Sequence, residues 1–122
     1  NMKDAVDLYN TMTIKIPIET KQGVHTLPAS SVIAVEAQGR KVVIHTTQRD
    51  FESIRNMQYW LELLPKNCFF QTHRSFIINF EHVTDFDRTL VHMADEQFHA
   101  YLTKRKYSAF KEAYLLYLDS TR

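Results

Sequence analysis

The sequence predicts a mainly β protein with antiparallel strands, one internal helix and one C-terminal helix. Three observations predict it. Apolar and polar residues alternate over short runs, the period of a strand with one buried face. Short turn-like breaks separate these runs, and such connections suit hairpins and meanders rather than parallel crossovers. The period changes to that of a helix in two places, between Phe51 and Leu64 and between Tyr107 and Leu118.

In chain order, residues 1–12 place Val6, Leu8 and Tyr9 among Lys3, Asp4 and Asp7, with no packing pattern, and read as a linker. The chain opens on Asn1, which reads as an expression remnant or a cut from something longer. Ile14, Ile16 and Ile18 then share one parity, and Pro17 confines that strand to an edge or a strand end. Gln22-Gly23 supplies a turn, and Val24–Leu27 is the return arm of a hairpin. Pro28–Ser31 breaks the pattern. Val32–Ala37 is a third strand, Gln38-Gly39-Arg40 a tight connection, and Lys41–Thr46 a fourth strand.

From Phe51 to Leu64, Ile54, Met57, Leu61 and Leu64 recur at helical spacing, and Trp60 widens the stripe. Asp50 is the expected N-cap, and Pro65 stops the helix. The stretch Phe69–Asn79 follows. Phe70, Phe76 and Ile78 share a parity there, while Thr72-His73-Arg74-Ser75 interrupts the strand text without Gly or Pro. That polar run is either a satisfied structural bend or a presented binding edge. Val83–Phe86, Leu90–Met93 and Phe98–Leu102, with turns near Asp87-Arg88 and Ala94-Asp95-Glu96, read as a β-meander. Phe110, Tyr114, Leu115 and Leu118 mark the last helix.

At 122 residues the chain is one domain's worth, long enough for a real core. No apolar run approaches the roughly 18 residues of a membrane span, and the start lacks the layout of a signal peptide. One cysteine, Cys68, excludes an internal disulfide and suits a reducing, cytoplasmic setting. It reads as a small buried hydrophobe. The six histidines form no H-x-H or H-x-x-x-H pair, so the local spacing of a zinc site is missing. His73 and Ser75 lack the Gly-rich nucleophile turn that acyl transfer uses. Neither an enzyme, a metal site nor a cofactor is expected.

The net charge of +1 hides segregation. Acidic residues gather at Glu81, Asp85, Asp87, Asp95 and Glu96. Basic residues gather at Arg40-Lys41, His73-Arg74 and Lys104-Arg105-Lys106. Arginine can pair bidentately with guanine O6 and N7, while lysines, short hydroxyl residues and backbone N–H groups hold phosphates. Any one basic group could be a solvated corner. Three on one face would make a nucleic-acid surface.

The run from Leu64-Pro65 through Phe69-Phe70-Gln71-Thr72-His73-Arg74-Ser75-Phe76-Ile77-Ile78-Asn79 resembles the hallmark of the LytTR DNA-binding family. Val32–Ala37 is similar to that family's Ile-x-Tyr-Ile-Glu-Ala strand, with Ala34 in place of the aromatic. Leu102–Tyr107 is similar to its closing Ser-Arg-basic-aromatic segment, with Thr103-Lys104 ahead of Arg105. The likeness runs from about Ile14 to Tyr114.

The resemblance implies an elongated fold of small antiparallel sheets with a short helix between them. Residues 1–12 would be the linker and residues 13–122 the LytTR-like DNA-binding domain. It also implies the output domain of a bacterial two-component response regulator, behind a receiver domain answering to a histidine kinase. The partner would be promoter DNA with direct repeats, bound as a possible dimer. Carried over by position, Arg40, Arg74 and Arg105 would contact bases. Lys41, His73, Ser75, Thr103, Lys104 and Lys106 would contact phosphates. Phe69, Phe70, Phe76 and Ile78 would be core, and Asn79 would tie backbone at a strand end. A second reading stays open, a protein-interaction or oligomerisation β domain whose C-terminal helix is the interface. RNA binding ranks last, because it would display aromatics on a sheet face, and here they fall at core parity.

Overall fold

Alternating side chains build ten short strands in three antiparallel sheets, seen in a computed structural model that describes residues 2–121. The first hairpin pairs β1 (Lys15–Thr20) with β2 (Gly23–Pro28). Its Ile16, Ile18 and Leu27 point into the core. Pro17 sits on this two-stranded ribbon, where each strand has a ladder partner on one side only.

The largest sheet contains β3 (Val32–Gln38), β4 (Lys41–Thr46), β5 (Asp50–Ser53), β6 (Phe69–His73) and β7 (Phe76–Asn79), in the order β5-β4-β3-β7-β6. Val32, Ile33, Ala34 and Val35 are all buried, as a central strand requires. Gly39 has φ +62, which explains a glycine in the tight β3–β4 turn. The third sheet is the meander β8 (Val83–Phe86), β9 (Leu90–Met93) and β10 (Phe98–Tyr101), with order β10-β9-β8. Asp87 holds its first turn by accepting from the Thr89 and Leu90 amides at 2.8 and 2.9 Å. Those bonds keep the carboxyl below its ordinary range. The second turn carries Ala94, Asp95 and Glu96 at φ 51, 54 and 67.

The helices depart from expectation in two ways. Residues 2–12, where no packing pattern was expected, are helical. Met2–Met12 is a helix, α1, that buries Leu8 and Met12, and Asn67 Nδ2 donates to Thr11 Oγ1 at 3.1 Å. The internal helix, α2, is Met57–Leu63 and does not begin at Phe51. Phe51 and Ser53 instead alternate inward along β5, and Ile54 is exposed. The N-cap is therefore Asn56, whose side chain accepts from the Tyr59 amide at 2.9 Å, and Asp50 lies in the strand. Leu64 has ψ 136, the extended geometry imposed on a residue before proline. The last helix, α3 (Tyr107–Ser120), lies where its periodicity places it.

Trp60 of α2 is fully buried, and its Nε1 donates to Ser53 Oγ at 3.0 Å, joining the helix to β5. Phe110 of α3 packs with Phe70, Phe80 and Phe86 at centroid distances of 5.5, 5.7 and 4.9 Å. Such pairs add about 0.5–1.5 kcal/mol each beyond area burial. Burial pushes the Cys68 thiol up to about 12, as fits a core filler rather than a nucleophile.

Asn79 ties backbone, as its place at a strand end suggests. Fully buried, it donates through Nδ2 to the carbonyls of Ala29 (3.2 Å) and Val32 (2.8 Å), and its Oδ1 accepts from the Glu81 amide at 3.0 Å. Asn79→Ala strands these groups away from water and is expected to cost about 2–4 kcal/mol. In urea melts the midpoint should fall with the slope unchanged; a loss below about 1 kcal/mol would deny the clamp its role.

Candidate nucleic-acid interface

The polar run Thr72–Ser75 is the tip of a hairpin. β6 and β7 pair with His73 opposite Phe76, leaving Arg74 and Ser75 as a two-residue turn and Thr72 in a bulge. No Gly, Pro or Asn makes this turn. His73 takes their place, its Nδ1 accepting from the Ser75 amide at 3.0 Å. That bond puts the ring proton on Nε2 in the neutral imidazole. The ring is held by Phe76 and Tyr101 at 6.0 and 5.7 Å. The His73 bond thus closes the bend, which also presents Arg74, an exposed residue.

Sheet order brings a second basic turn beside the first. β3 pairs with β7 through Glu36 opposite Phe76, and the Ala37 amide donates to the Ser75 carbonyl at 2.9 Å. The Gly39-Arg40 turn leaving β3 therefore lies at the same end of the sheet as Arg74-Ser75. With strands about 4.8 Å apart, the turn centres stand roughly 10 Å from each other. Arg40 and Lys41 are exposed there, and Lys41 has one weak partner, Glu52 at 3.8 Å.

The third basic group meets the tip from the other side. The Thr103 amide donates to the Thr72 carbonyl at 3.0 Å, placing the 3₁₀ turn Lys104–Lys106 next to the edge strand β6. The order along this end is then Arg40, Arg74, Arg105. Among the described residues, Arg40, Arg74, Lys104 and Arg105 are all exposed, and none is ion-paired.

The LytTr DNA-binding domain family matches residues 22–115, most of the chain and all three basic turns. This chain belongs to the LytTR family. It is 29% identical over 80 residues to the sensory transduction protein LytR of Staphylococcus epidermidis, covering 66% of this chain and 32% of that protein. It is 29% identical over 105 residues to the transcriptional regulatory protein NatR of Bacillus subtilis, covering 82% and 45%. The match thus spans less than half the length of either relative. Among solved structures, the LytTr DNA-binding domain of a response regulator from Bacillus cereus superposes with a TM-score of 0.68 at 27% identity. That likeness covers 81% of this chain and 94% of the other.

Within this LytTR fold, two residues expected at phosphates are turned inward. Lys106 Nζ donates to the Gln71 carbonyl at 3.1 Å and lies 3.4 Å from Gln71 Oε1. Desolvation, and then the nearby Arg105 charge, lower its pKa from the ordinary lysine value. Thr103 Oγ1 is buried without a hydrogen-bond partner, like Thr72 Oγ1 beside it. Both side chains support the turn from inside. Sequence reasoning missed Lys21 and Gln22, which share a depression with Arg40 at the β1–β2 turn. A turn signal at Gln22-Gly23 was legible, but its closeness to Arg40 depends on the Ile54 amide bonding the Glu19 carbonyl at 2.9 Å. Arg55, also near this end, is occupied by Glu19 at 2.6 and 3.3 Å.

His73→Phe keeps a ring of similar size but removes the acceptor for the Ser75 amide. The expected outcome is a loss of about 1 kcal/mol and faster hydrogen exchange at Ser75. Unchanged exchange there would mean that Nδ1 does not hold the tip.

Proposed function

We propose that this chain binds double-stranded promoter DNA sequence-specifically, as the output part of a bacterial two-component response regulator. One observation carries the reading: three adjacent turns at one end of the five-stranded sheet present arginines that, among the described residues, no carboxylate pairs with. Exposed, unpaired cations on a small domain concentrate positive potential that phosphates seek. The relatives LytR, a sensory transduction protein, and NatR, a transcriptional regulatory protein, support the same reading.

In this proposal Arg40, Arg74 and Arg105 contact bases, Arg74 lying between the outer two. Lys41, Lys104, Ser75 and the Nε2–H of His73 hold phosphates. Lys106 and Thr103 position the 3₁₀ turn from behind. The module is non-catalytic and works in the cytoplasm, downstream of a receiver domain and its histidine kinase. Direct repeats would be met by two copies. The described helices include none long and apolar enough to cross a membrane.

Neutralising four or five phosphates predicts that log K falls with log salt at a slope of about −4. Arg105→Ala should cost about 1–3 kcal/mol on a selected site and relax preference at one base position. Lys104→Ala should weaken selected and random duplexes alike. Fluorescence anisotropy on both duplexes measures this. No duplex affinity at low salt would sink the proposal, and identical behaviour of the two variants would sink the base-reading role of Arg105. A self-association reading draws on Leu115, Leu116 and Leu118, which α3 leaves exposed; sedimentation of the free chain as a monomer would remove it.

A further inference from the structure

A cleft of about 620 Å³ opens between α2 and the start of α3, beyond the edge strand β6. Its walls are apolar, made by Leu61, Leu64, Phe69, Phe70, Ile77 and Ala109. Its volume lies within the roughly 300–1,000 Å³ of small-molecule sites, which pair apolar walls with a few placed polar groups. The polar group here is unusual. Lys106 lines the cleft, yet its only partners among the described residues are the two neutral oxygens of Gln71. A cation partly withdrawn from water without a counter-charge is stabilised by any anion that reaches it.

We propose that this cleft binds a small organic anion, its apolar body against Leu61, Leu64, Phe69 and Ile77 and its anionic group on Lys106. The charge at the mouth favours that choice. Lys66, bonded to the Leu61 carbonyl, adds a second cation. The one carboxylate lining the cleft, Glu62, is exposed and accepts from Gln58 Nε2 at 3.1 Å. A neutral ligand would leave Lys106 as it is, and a cationic one would meet two like charges.

Occupancy also reaches the basic end of the sheet. The Lys106–Gln71 bonds tie the 3₁₀ turn bearing Lys104 and Arg105 to β6, three residues before Arg74. An anion that takes over the ammonium loosens that tie and cancels a positive charge beside Arg105. This consequence rests on the duplex-binding reading, whereas the binding of the anion does not.

The test uses the folded chain, with naphthalene-2-carboxylate as the probe and naphthalene-2-carboxamide as its uncharged counterpart. Backbone amide shifts followed by NMR should cluster at Leu61, Leu64, Phe69, Gln71 and Lys106. The carboxylate should bind at least tenfold more tightly than the carboxamide, and Lys106→Met should abolish that difference. Equal affinity of the two probes, shifts elsewhere, or no saturation at millimolar probe overturns the site, and none of these needs the variant to fold. Saturating carboxylate should then weaken duplex binding severalfold. A probe that binds as expected while duplex affinity holds overturns only the link to Arg105. A chain that binds the probe but no duplex overturns the nucleic-acid reading instead.

Discussion

The pairing of β3 with β7 is the constraint on which the rest depends. It joins the strands before α2 to those after it within one sheet, and each end of the pair is fixed by a separate device. At one end the Ala37 amide bonds the Ser75 carbonyl, which holds the Arg74 turn against the Arg40 turn. At the other, Asn79 binds the carbonyls of Ala29 and Val32 from a fully buried position. Backbone ladders alone specify register weakly, because a slip by one residue preserves the bonds while reversing the faces. A buried amide with both donor contacts and its acceptor satisfied penalises such a slip, since the slipped state leaves several polar groups dry and unpaired. The positions of the basic turns therefore follow from an interaction far from them in the sheet.

How much of this was legible follows from where each signal resides. β4, β8 and β9 lie where alternation places them, because their patterns and flanking turns are local. α1 was not legible. Leu8 and Met12 are four apart, but two residues make no stripe, and their burial comes from packing that the chain supplies only when α3 and the Ala29–Ser31 turn arrive. The early start assigned to α2 has a different cause. Phe51 and Ile54 happen to keep helical spacing with Met57, although Phe51 faces inward from a strand and Ile54 faces water. The hairpin within Phe69–Asn79 was hidden because its turn uses a histidine ring nitrogen where turn chemistry normally uses glycine or asparagine.

The site divides the same way. That arginines and lysines cluster was evident from sequence, and a net charge of +1 gave no warning of it. That three clusters share one end required sheet order, which no local pattern encodes. Acidic residues also occupy the meander, and two of them are engaged there: Asp87 with two amides, and Asp85 with His92 at 3.9 Å. Within the five-stranded sheet, Glu36 and Asp50 bracket His45 at 2.8 and 3.0 Å, and so these carboxylates are directed at a histidine rather than at the arginines.

Lys104-Arg105-Lys106 shows why residue type alone could not assign roles. Three consecutive cations are equivalent as sequence, but a 3₁₀ turn spaces successive side chains about 120° apart, three residues per turn. Two can then face water while the third is directed inward, and here the third finds Gln71. The inward lysine costs desolvation that a surface lysine does not, and neutral oxygens offset that cost only in part. A leucine or methionine would fill the same space without that penalty. Retaining an ammonium there has a physical consequence that an apolar residue would lack: it ties the turn to β6 through bonds that a competing anion can displace. The exposed turn that carries Lys104 and Arg105 is thereby anchored by a partly desolvated ammonium held only by neutral oxygens among the described residues.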